Sequence, residues 1–234
     1  MNFLPEENAG DETRSNDRRK FLKISGAAVA AIGIGAATRG MASPLNFFDT
    51  PMGMNNMSVV DLGSGDTGIL NYAYALEQLE AAFYTQAVSN PYKGMTPEET
   101  QILTDIRDHE IVHREFFKAA LGANAIPGLT PNFGKINFND RAAVLATAQT
   151  FEDLGVAAYN GAGQLLKNPD YLLVAGKIVS VEARHASVIR DLIRPRTRNF
   201  SVGALDKAKK PLEVLAAAGP FIANKISANN LPKT

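Results

Sequence analysis

Apolar residues recur every three or four positions in four long segments of the chain, and this spacing predicts amphipathic α-helices. Two helix starts are marked by Thr96-Pro97 and Asn168-Pro169, which each place a polar N-cap residue before a proline at the first helical position. Glu99 adds the acidic partner of a capping box to the first of these starts. The predicted helices cover residues 67–88, 97–121, 140–166 and 169–193.

The connections between these helices differ in length. Short turns at Asn90-Pro91 and Lys167-Asn168 join the helices into two hairpins, whereas residues 122–139 are interrupted by proline and glycine and show no helical period. Two hairpins joined by one long crossover fit a four-helix bundle in which helices two and three run parallel. The sequence therefore predicts an all-α fold, with this bundle at residues 67–194.

The segments on either side of the bundle have weaker patterns. Residues 43–66 are rich in glycine, proline, asparagine and methionine, which is typical of a lead-in segment. Residues 195–234 form a C-terminal tail with a short apolar stretch at residues 212–222, interrupted by Gly219-Pro220. We expect this tail to be partly helical and to pack against the outside of the bundle.

Each predicted helix carries an acidic residue in the middle of its apolar stripe. On helices two and four this residue belongs to a Glu-x-x-His sequence, and residues three apart share one face of a helix. On helices one and three a single glutamate is followed seven residues later by a tyrosine, so the two hairpins repeat one pattern. The candidate metal ligands are Glu77, Glu110, His113, Glu152, Glu182 and His185.

Four carboxylates on apolar stripes need a positive partner, because a buried unpaired carboxylate is strongly destabilising and several together repel one another. No lysine or arginine falls on these stripes. Two divalent ions are the simplest neutraliser, with two neutral imidazoles completing their coordination, as in di-iron and di-manganese carboxylate bundles. One Glu-x-x-His taken alone favours a histidine satisfied within the core, whereas the full set of six residues favours metal.

Glu80 breaks the repeat, because its counterpart on helix three is Gly155. It also faces the predicted core, so it is a candidate for an additional ligand, for a proton shuttle, or for the helix-one ligand in place of Glu77. We prefer Glu77 as the ligand, because its spacing to Tyr84 matches the spacing on helix three.

Three further residues lie close to the predicted ligands. Tyr84 and Tyr159 are each two turns beyond a glutamate, where they either fill the core or donate a hydrogen bond to a ligand carboxylate across the bundle. His109 neighbours Glu110 but points about 100° away around the helix. We therefore expect His109 to be a solvated or interhelical residue and not a ligand.

Composition limits the partners and the kinds of metal site that are expected for this chain. The 234 residues carry 24 Lys and Arg against 24 Asp and Glu, and no basic tract lies beyond residue 42, so nucleic acid is not expected as a partner. The chain has no cysteine, which excludes disulfides, thiolate zinc sites and iron–sulfur clusters. Histidine and carboxylate remain as the strong metal ligands.

The N-terminal residues resemble a twin-arginine export signal. Arg18-Arg19-Lys20-Phe21-Leu22 precedes a weakly apolar run at residues 24–38, and small residues allow cleavage after Ala42. The resemblance implies export of a folded protein by the twin-arginine machinery to the periplasm or another extracytoplasmic space. The run is shorter than the roughly 20 residues of a membrane span, so no stable span is expected after cleavage. The alternatives are an uncleaved anchor and a disordered basic tail.

Two stretches are similar to a known family. Residues 76–84, Leu-Glu-Gln-Leu-Glu-Ala-Ala-Phe-Tyr, and residues 211–222 resemble the first helix and the tail of short exported bundles in the ferritin-like superfamily, including desiccation-related proteins. The resemblance covers about residues 65–222. It implies a ferritin-like bundle in which the six ligands bind two ions of iron or manganese.

This resemblance implies a protein that handles Fe(II), dioxygen or peroxide in stress protection. A ferroxidase-type activity or another peroxide-consuming activity is left open, and so is a homo-oligomer. One alternative is a non-catalytic stress-associated bundle whose metal is structural or whose site is vestigial. Another alternative is peroxide disproportionation of the manganese-catalase kind.

Overall fold

The computed structural model describes residues 59–233, and this part of the chain is predominantly helical, as predicted. Four long helices form the bundle: α1 (Gly65–Ser89), α2 (Pro97–Leu121), α3 (Arg141–Ala162) and α4 (Pro169–Ile193). A shorter helix, α5 (Pro211–Ala218), lies in the tail. Two short strands, β1 (Val60–Asp61) and β2 (Ile226–Ser227), pair in parallel.

Local sequence sets the helix starts. Thr96 and Glu99 form a complete capping box at the start of α2, where each side chain accepts the other residue's backbone N–H. The Asp140 carboxylate accepts two backbone N–H groups at the start of α3, and the Asn168 side chain accepts one at the start of α4. The predicted starts of α2 and α4 are confirmed.

Other predicted boundaries shift by a few residues. The first helix begins at Gly65 instead of residue 67, and the third ends at Ala162 instead of residue 166 because the chain tightens into a 3₁₀ turn at Gly163–Leu165. Asp66 accepts the backbone N–H groups of Lys167 and Asn168, so the first turn of α1 holds the connection between α3 and α4.

The helices pack as two hairpins. The most extensive contacts join α1 to α2 and α3 to α4, while α1 also meets α3 and α2 meets α4 across the bundle. The helices with single glutamates therefore face each other, and so do the helices with Glu-x-x-His. This arrangement places the centres of all four helices around one interior space.

The long crossover between α2 and α3 is well anchored. Asn71, which is buried, donates to the carbonyl groups of Leu62 and Asn124 and accepts the backbone N–H of Ile126. Further along, the crossover contributes two phenylalanines to the core, where they pack against aromatic rings from α1 and α3. The rings concerned are Phe83, Phe133, Phe138 and Phe151.

In the tail, α5 lies against α3. Val214 and Ala218 are fully buried in this contact. Just before α5, the backbone N–H of Lys209 bonds to the carbonyl of Ala157. A Cβ atom added at Gly161 would lie 1.8 Å from the Lys209 carbonyl oxygen, so only glycine permits this approach.

The end of the tail returns to the segment before α1. Val60 donates its N–H to the carbonyl of Lys225, and Leu62 donates to Ser227. The tail also bonds to the crossover, where Ala223 donates to Thr130. The composition of the lead-in does not predict this strand pair, which gives regular structure to two of its final residues.

The predicted export signal at residues 1–42 lies outside the described residues, as does most of the lead-in. The predicted division of the chain at residues 42, 66 and 194 therefore stays a prediction. Within residues 59–233, none of the helices combines the length and the apolar character that a membrane crossing requires.

Candidate metal centre

The six predicted ligands meet in the interior of the bundle, and we call them the six-residue cluster. Each lies near the middle of its helix. The four glutamates have no solvent exposure, and the two histidines are 4% and 9% exposed. The members are Glu77 on α1, Glu110 and His113 on α2, Glu152 on α3, and Glu182 and His185 on α4.

The cluster divides into two overlapping groups, in each of which one ligand atom per residue lies within 4.8 Å of the others. Glu110 and Glu182 belong to both groups, so they occupy the shared middle. One group is completed by Glu77 and His113, and the other by Glu152 and His185. Each group contains three carboxylates and one imidazole, a donor set that could hold a metal ion.

Both imidazoles turn their Nδ1 atoms toward the carboxylates. Nδ1 of His113 lies 2.9 Å from Glu182 Oε1, and Nδ1 of His185 lies 2.8 Å from Glu110 Oε1. Each histidine therefore comes closest to the glutamate of the opposite Glu-x-x-His helix. These crossed contacts give the two halves of the cluster the same geometry, as the sequence repeat leads one to expect.

The polar atoms of the cluster form few hydrogen bonds with one another. Among residues 59–233, eight buried atoms of the six side chains have no hydrogen bond of acceptable geometry, including both oxygens of Glu110 and Glu182 and Nδ1 of both histidines. Buried polar atoms are ordinarily hydrogen-bonded. Oxygen and nitrogen atoms that converge without forming hydrogen bonds with one another are suited to bind positive ions placed among them.

The charges of the cluster depend strongly on one another. Burial and the neighbouring Glu182 raise the pKa of Glu110 well above its usual range, and burial raises the pKa of Glu152 to about 7. Burial also disfavours the charged form of Glu182, but the close approach of the His113 and His185 imidazoles outweighs it and lowers the pKa of Glu182 to about 2. Burial opposes protonation of His185, yet its carboxylate neighbours raise its pKa to about 12.

Two tyrosines hold the outer carboxylates. The Tyr84 hydroxyl donates to Oε1 of Glu152 at 2.5 Å, and the Tyr159 hydroxyl donates to Oε1 of Glu77. Burial and the adjacent carboxylate raise the pKa of each tyrosine well above 10, so both remain protonated donors. Of the two roles open from the sequence, both residues make the hydrogen bond across the bundle.

Glu80 lies beside the cluster but in neither of its two groups. It is 4% exposed, and burial and its acidic neighbours raise its pKa well above the usual range. A Cβ atom added at Gly155 would lie 3.0 Å from Glu80 Oε1 and 3.8 Å from Glu182 Oε2. The glycine that breaks the repeat thus makes room for the fifth carboxylate.

His109 makes a contact that the sequence did not specify. Its Nδ1 lies 2.9 Å from Nε2 of His185, and the two rings are nearly parallel. His109 itself is exposed and belongs to neither group. Of the two positions expected for it, solvated or interhelical, His109 combines an exposed location with an interhelical contact, and the stripe pattern does not predict its partner.

Residues 65–195 of the chain match the sequence profile of a ferritin-like domain. This match covers all four helices of the bundle and every residue of the six-residue cluster. A comparison with curated protein sequences gave no match.

Proposed function

Because the chain belongs to the ferritin-like domain family, we propose that its bundle binds two divalent ions, of iron or manganese, and handles Fe(II), dioxygen or peroxide. The carrying observation is the set of eight unsatisfied buried polar atoms that converge from four helices. Within residues 59–233, the ion-pair partners of these carboxylates are His113 and His185, and no lysine or arginine takes that role.

The proposed ligands divide between the two ions. Glu77 and His113 would serve one ion, and Glu152 and His185 would serve the other, with Glu110 and Glu182 shared between them. Four carboxylates balance the charge of two divalent ions, while oxygen-rich ligation with one imidazole per ion suits iron or manganese by ligand type. Glu80 supplies a fifth carboxyl group close by, and we propose that it serves as an additional ligand or carries a proton.

When bound, such ions supply redox capacity and a Lewis-acidic binding position for a small oxygen-containing molecule. The protein side chains orient and enclose that position. The tyrosine hydroxyl groups fix the outer carboxylates, and the buried helix faces exclude bulk water. The His113 side chain, at 11% exposure, is the least enclosed member of the cluster.

We also propose that the protein acts outside the cytoplasm, after export by the twin-arginine route. The support is the sequence of residues 18–42, with its paired arginines, weakly apolar run and small residues at the end. The route carries folded proteins, which suits a metal site assembled before export. Replacing Arg18 and Arg19 with lysine tests this proposal: the protein should remain in the cytoplasm with residues 1–42 still attached.

Elemental analysis of protein purified without added metal tests the metal proposal. We expect two equivalents of iron or manganese per chain. We also expect either oxygen uptake when Fe(II) is added to metal-free protein or consumption of peroxide. Two tightly bound ions without any turnover would favour a structural metal site. Release of oxygen from peroxide by manganese-loaded protein would favour disproportionation. Absence of bound metal, with unchanged folding of Glu110→Ala, would reject the proposal.

A further inference from the structure

The outer nitrogen of His185 has a partner of its own. Nδ1 of this imidazole faces the carboxylates of Glu110 and Glu152, at 2.8 and 3.4 Å. Nε2 points the other way, toward the boundary between α2 and α4, and lies 2.9 Å from Nδ1 of His109. The His109 ring lies parallel to the His185 ring, at an interplanar angle of 13°. Both edges of the His185 ring are therefore occupied.

The position of the proton in this pair follows from the surroundings of His185. A neutral imidazole that binds a metal through Nδ1 carries its proton on Nε2 and donates that proton to an acceptor. With metal on Nδ1 of His185, Nδ1 of His109 is placed at 2.9 Å to accept that proton, which leaves the proton of His109 on its Nε2.

We propose that His109 is a positioning residue, which accepts the Nε2 proton of His185 and so holds the Nδ1 atom of His185 toward the metal position. This role rests on the proposed metal binding. The observations that support it are the two ring contacts between His109 and His185 and the exposed location of His109. An exposed side chain contributes little to the packing of the core, so a purely structural role of His109 would be small.

In the other half of the cluster, the corresponding residue cannot give this support. The two Glu-x-x-His sequences are seventy-two residues apart, so the residue corresponding to His109 on α4 is Val181. A valine side chain has no nitrogen or oxygen with which to accept a proton from His113. We therefore infer that the ion beside His185 is held more tightly than the ion beside His113, although the ligands of both are of the same type.

The chain is well suited to a direct test because it contains three histidines. In protein labelled with ¹⁵N at histidine, a coupling across the hydrogen bond between Nε2 of His185 and Nδ1 of His109 is expected. It should be present both in metal-free protein and with zinc, a diamagnetic probe. His109→Leu removes the acceptor, His109→Gln restores one at similar reach, and Val181→Leu is the matched control at the repeat-related position.

Zinc titration supplies the second readout. His109→Leu should weaken one of the two zinc equivalents by about tenfold or more and leave the other unchanged, with His109→Gln recovering most of the loss. Val181→Leu should alter neither equivalent by as much. In His109→Leu, weaker binding of both zinc equivalents, accompanied by a lower melting temperature, would overturn the proposal. Unchanged zinc binding in this variant would also overturn it. Absence of zinc binding by the wild-type protein would reject the proposed function, while the coupling in metal-free protein would still decide the hydrogen bond.

Discussion

Tyr84 on α1 and Glu152 on α3 are joined across the bundle by a hydrogen bond of 2.5 Å, in which the hydroxyl is the donor. The reciprocal bond runs from Tyr159 on α3 to Glu77 on α1. Each of these helices thus contributes one carboxylate to the six-residue cluster and one donor that fixes the carboxylate of the other. The two bonds link the hairpins at the level of the cluster.

Removal of either hydroxyl should weaken metal binding on one side. Tyr84→Phe leaves Glu152 Oε1 without its donor, and a hydrogen bond to a charged group contributes about 1.5–3 kcal/mol. We expect a loss of about tenfold in affinity for the ion beside His185, with Tyr159→Phe affecting the ion beside His113 instead. Titration calorimetry with Mn(II) measures both. Equal affinities in wild type and both variants would contradict the assignment.

Glu110 and Glu77 provide a matched pair for testing the shared position. Both are fully buried glutamates, but Glu110 belongs to both groups of ligands and Glu77 to one. Glu110→Gln should therefore reduce the binding of both ions, whereas Glu77→Gln should leave one equivalent bound. Elemental analysis after dialysis gives the stoichiometry. Retention of two equivalents by Glu110→Gln would show that this residue is not shared.

The metal-free protein should lose stability as the pH rises from about 5 to about 7. Burial raises the pKa of Glu152 from 4.5 to about 7, so the folded state binds more protons than the unfolded state over this range. Ionisation of Glu152 alone should then cost about 3 kcal/mol, at 1.36 kcal/mol per pKa unit. The raised pKa values of Glu80 and Glu110 act in the same direction.

Two other groups of the cluster do not reverse this trend. The lowered pKa of Glu182 contributes stability that is present above pH 4.5 and is lost only as the pH falls through about 2. The raised pKa of His185 contributes stability that begins to fall above pH 6.5, so it adds to the loss. Urea unfolding of metal-free protein at several pH values measures the slope. Glu152→Gln should flatten it, and a slope of zero in the wild type would contradict the prediction.

Gly155 is predicted to act through Glu80. Gly155→Ala places a methyl group 3.0 Å from the present position of Glu80 Oε1, so the carboxylate must move. We expect Gly155→Ala to change metal affinity in the same direction as Glu80→Gln, and the double variant to show little further change. A coupling energy of about 0.5–3 kcal/mol is typical of residues in contact. Additive effects would show that Glu80 and Gly155 act separately.

Gly161 is predicted to be essential for the docking of the tail. Gly161→Ala brings a methyl group into collision with the Lys209 carbonyl oxygen, which belongs to the backbone and cannot rotate away. We expect a loss of at least about 1–3 kcal/mol in the free energy of unfolding. Gly176→Ala on α4 is the control, because no atom lies within 4 Å of its added Cβ, and it should stabilise by up to about 1 kcal/mol.

The features that sequence predicts here are those set by neighbouring residues. The capping box of Thr96 and Glu99 and the cap at Asn168 depend on side chains within three residues of the helix start. The starts of α2 and α4 can therefore be predicted from the sequence. Helical periodicity also placed all six members of the cluster on inward faces. Their ligand roles stay a prediction until metal is measured.

The features that sequence did not predict depend on how distant segments approach. His109 is visibly off the apolar stripe of α2, but its contact with His185 depends on the distance and rotation between α2 and α4. The pairing of β1 with β2 joins two segments of two residues each, and neither segment shows the sequence pattern of a strand. Gly161 looks like an ordinary helical glycine until Lys209 is placed against it.

The pairing of β1 with β2 also constrains the time at which the fold can be completed. Its hydrogen bonds join Val60 and Leu62, which precede the first helix, to the carbonyl groups of Lys225 and Ser227. During synthesis, the segment before α1 can form these bonds only after Lys225 and Ser227 have been added to the chain. Closure of the domain therefore follows the synthesis of both helical hairpins.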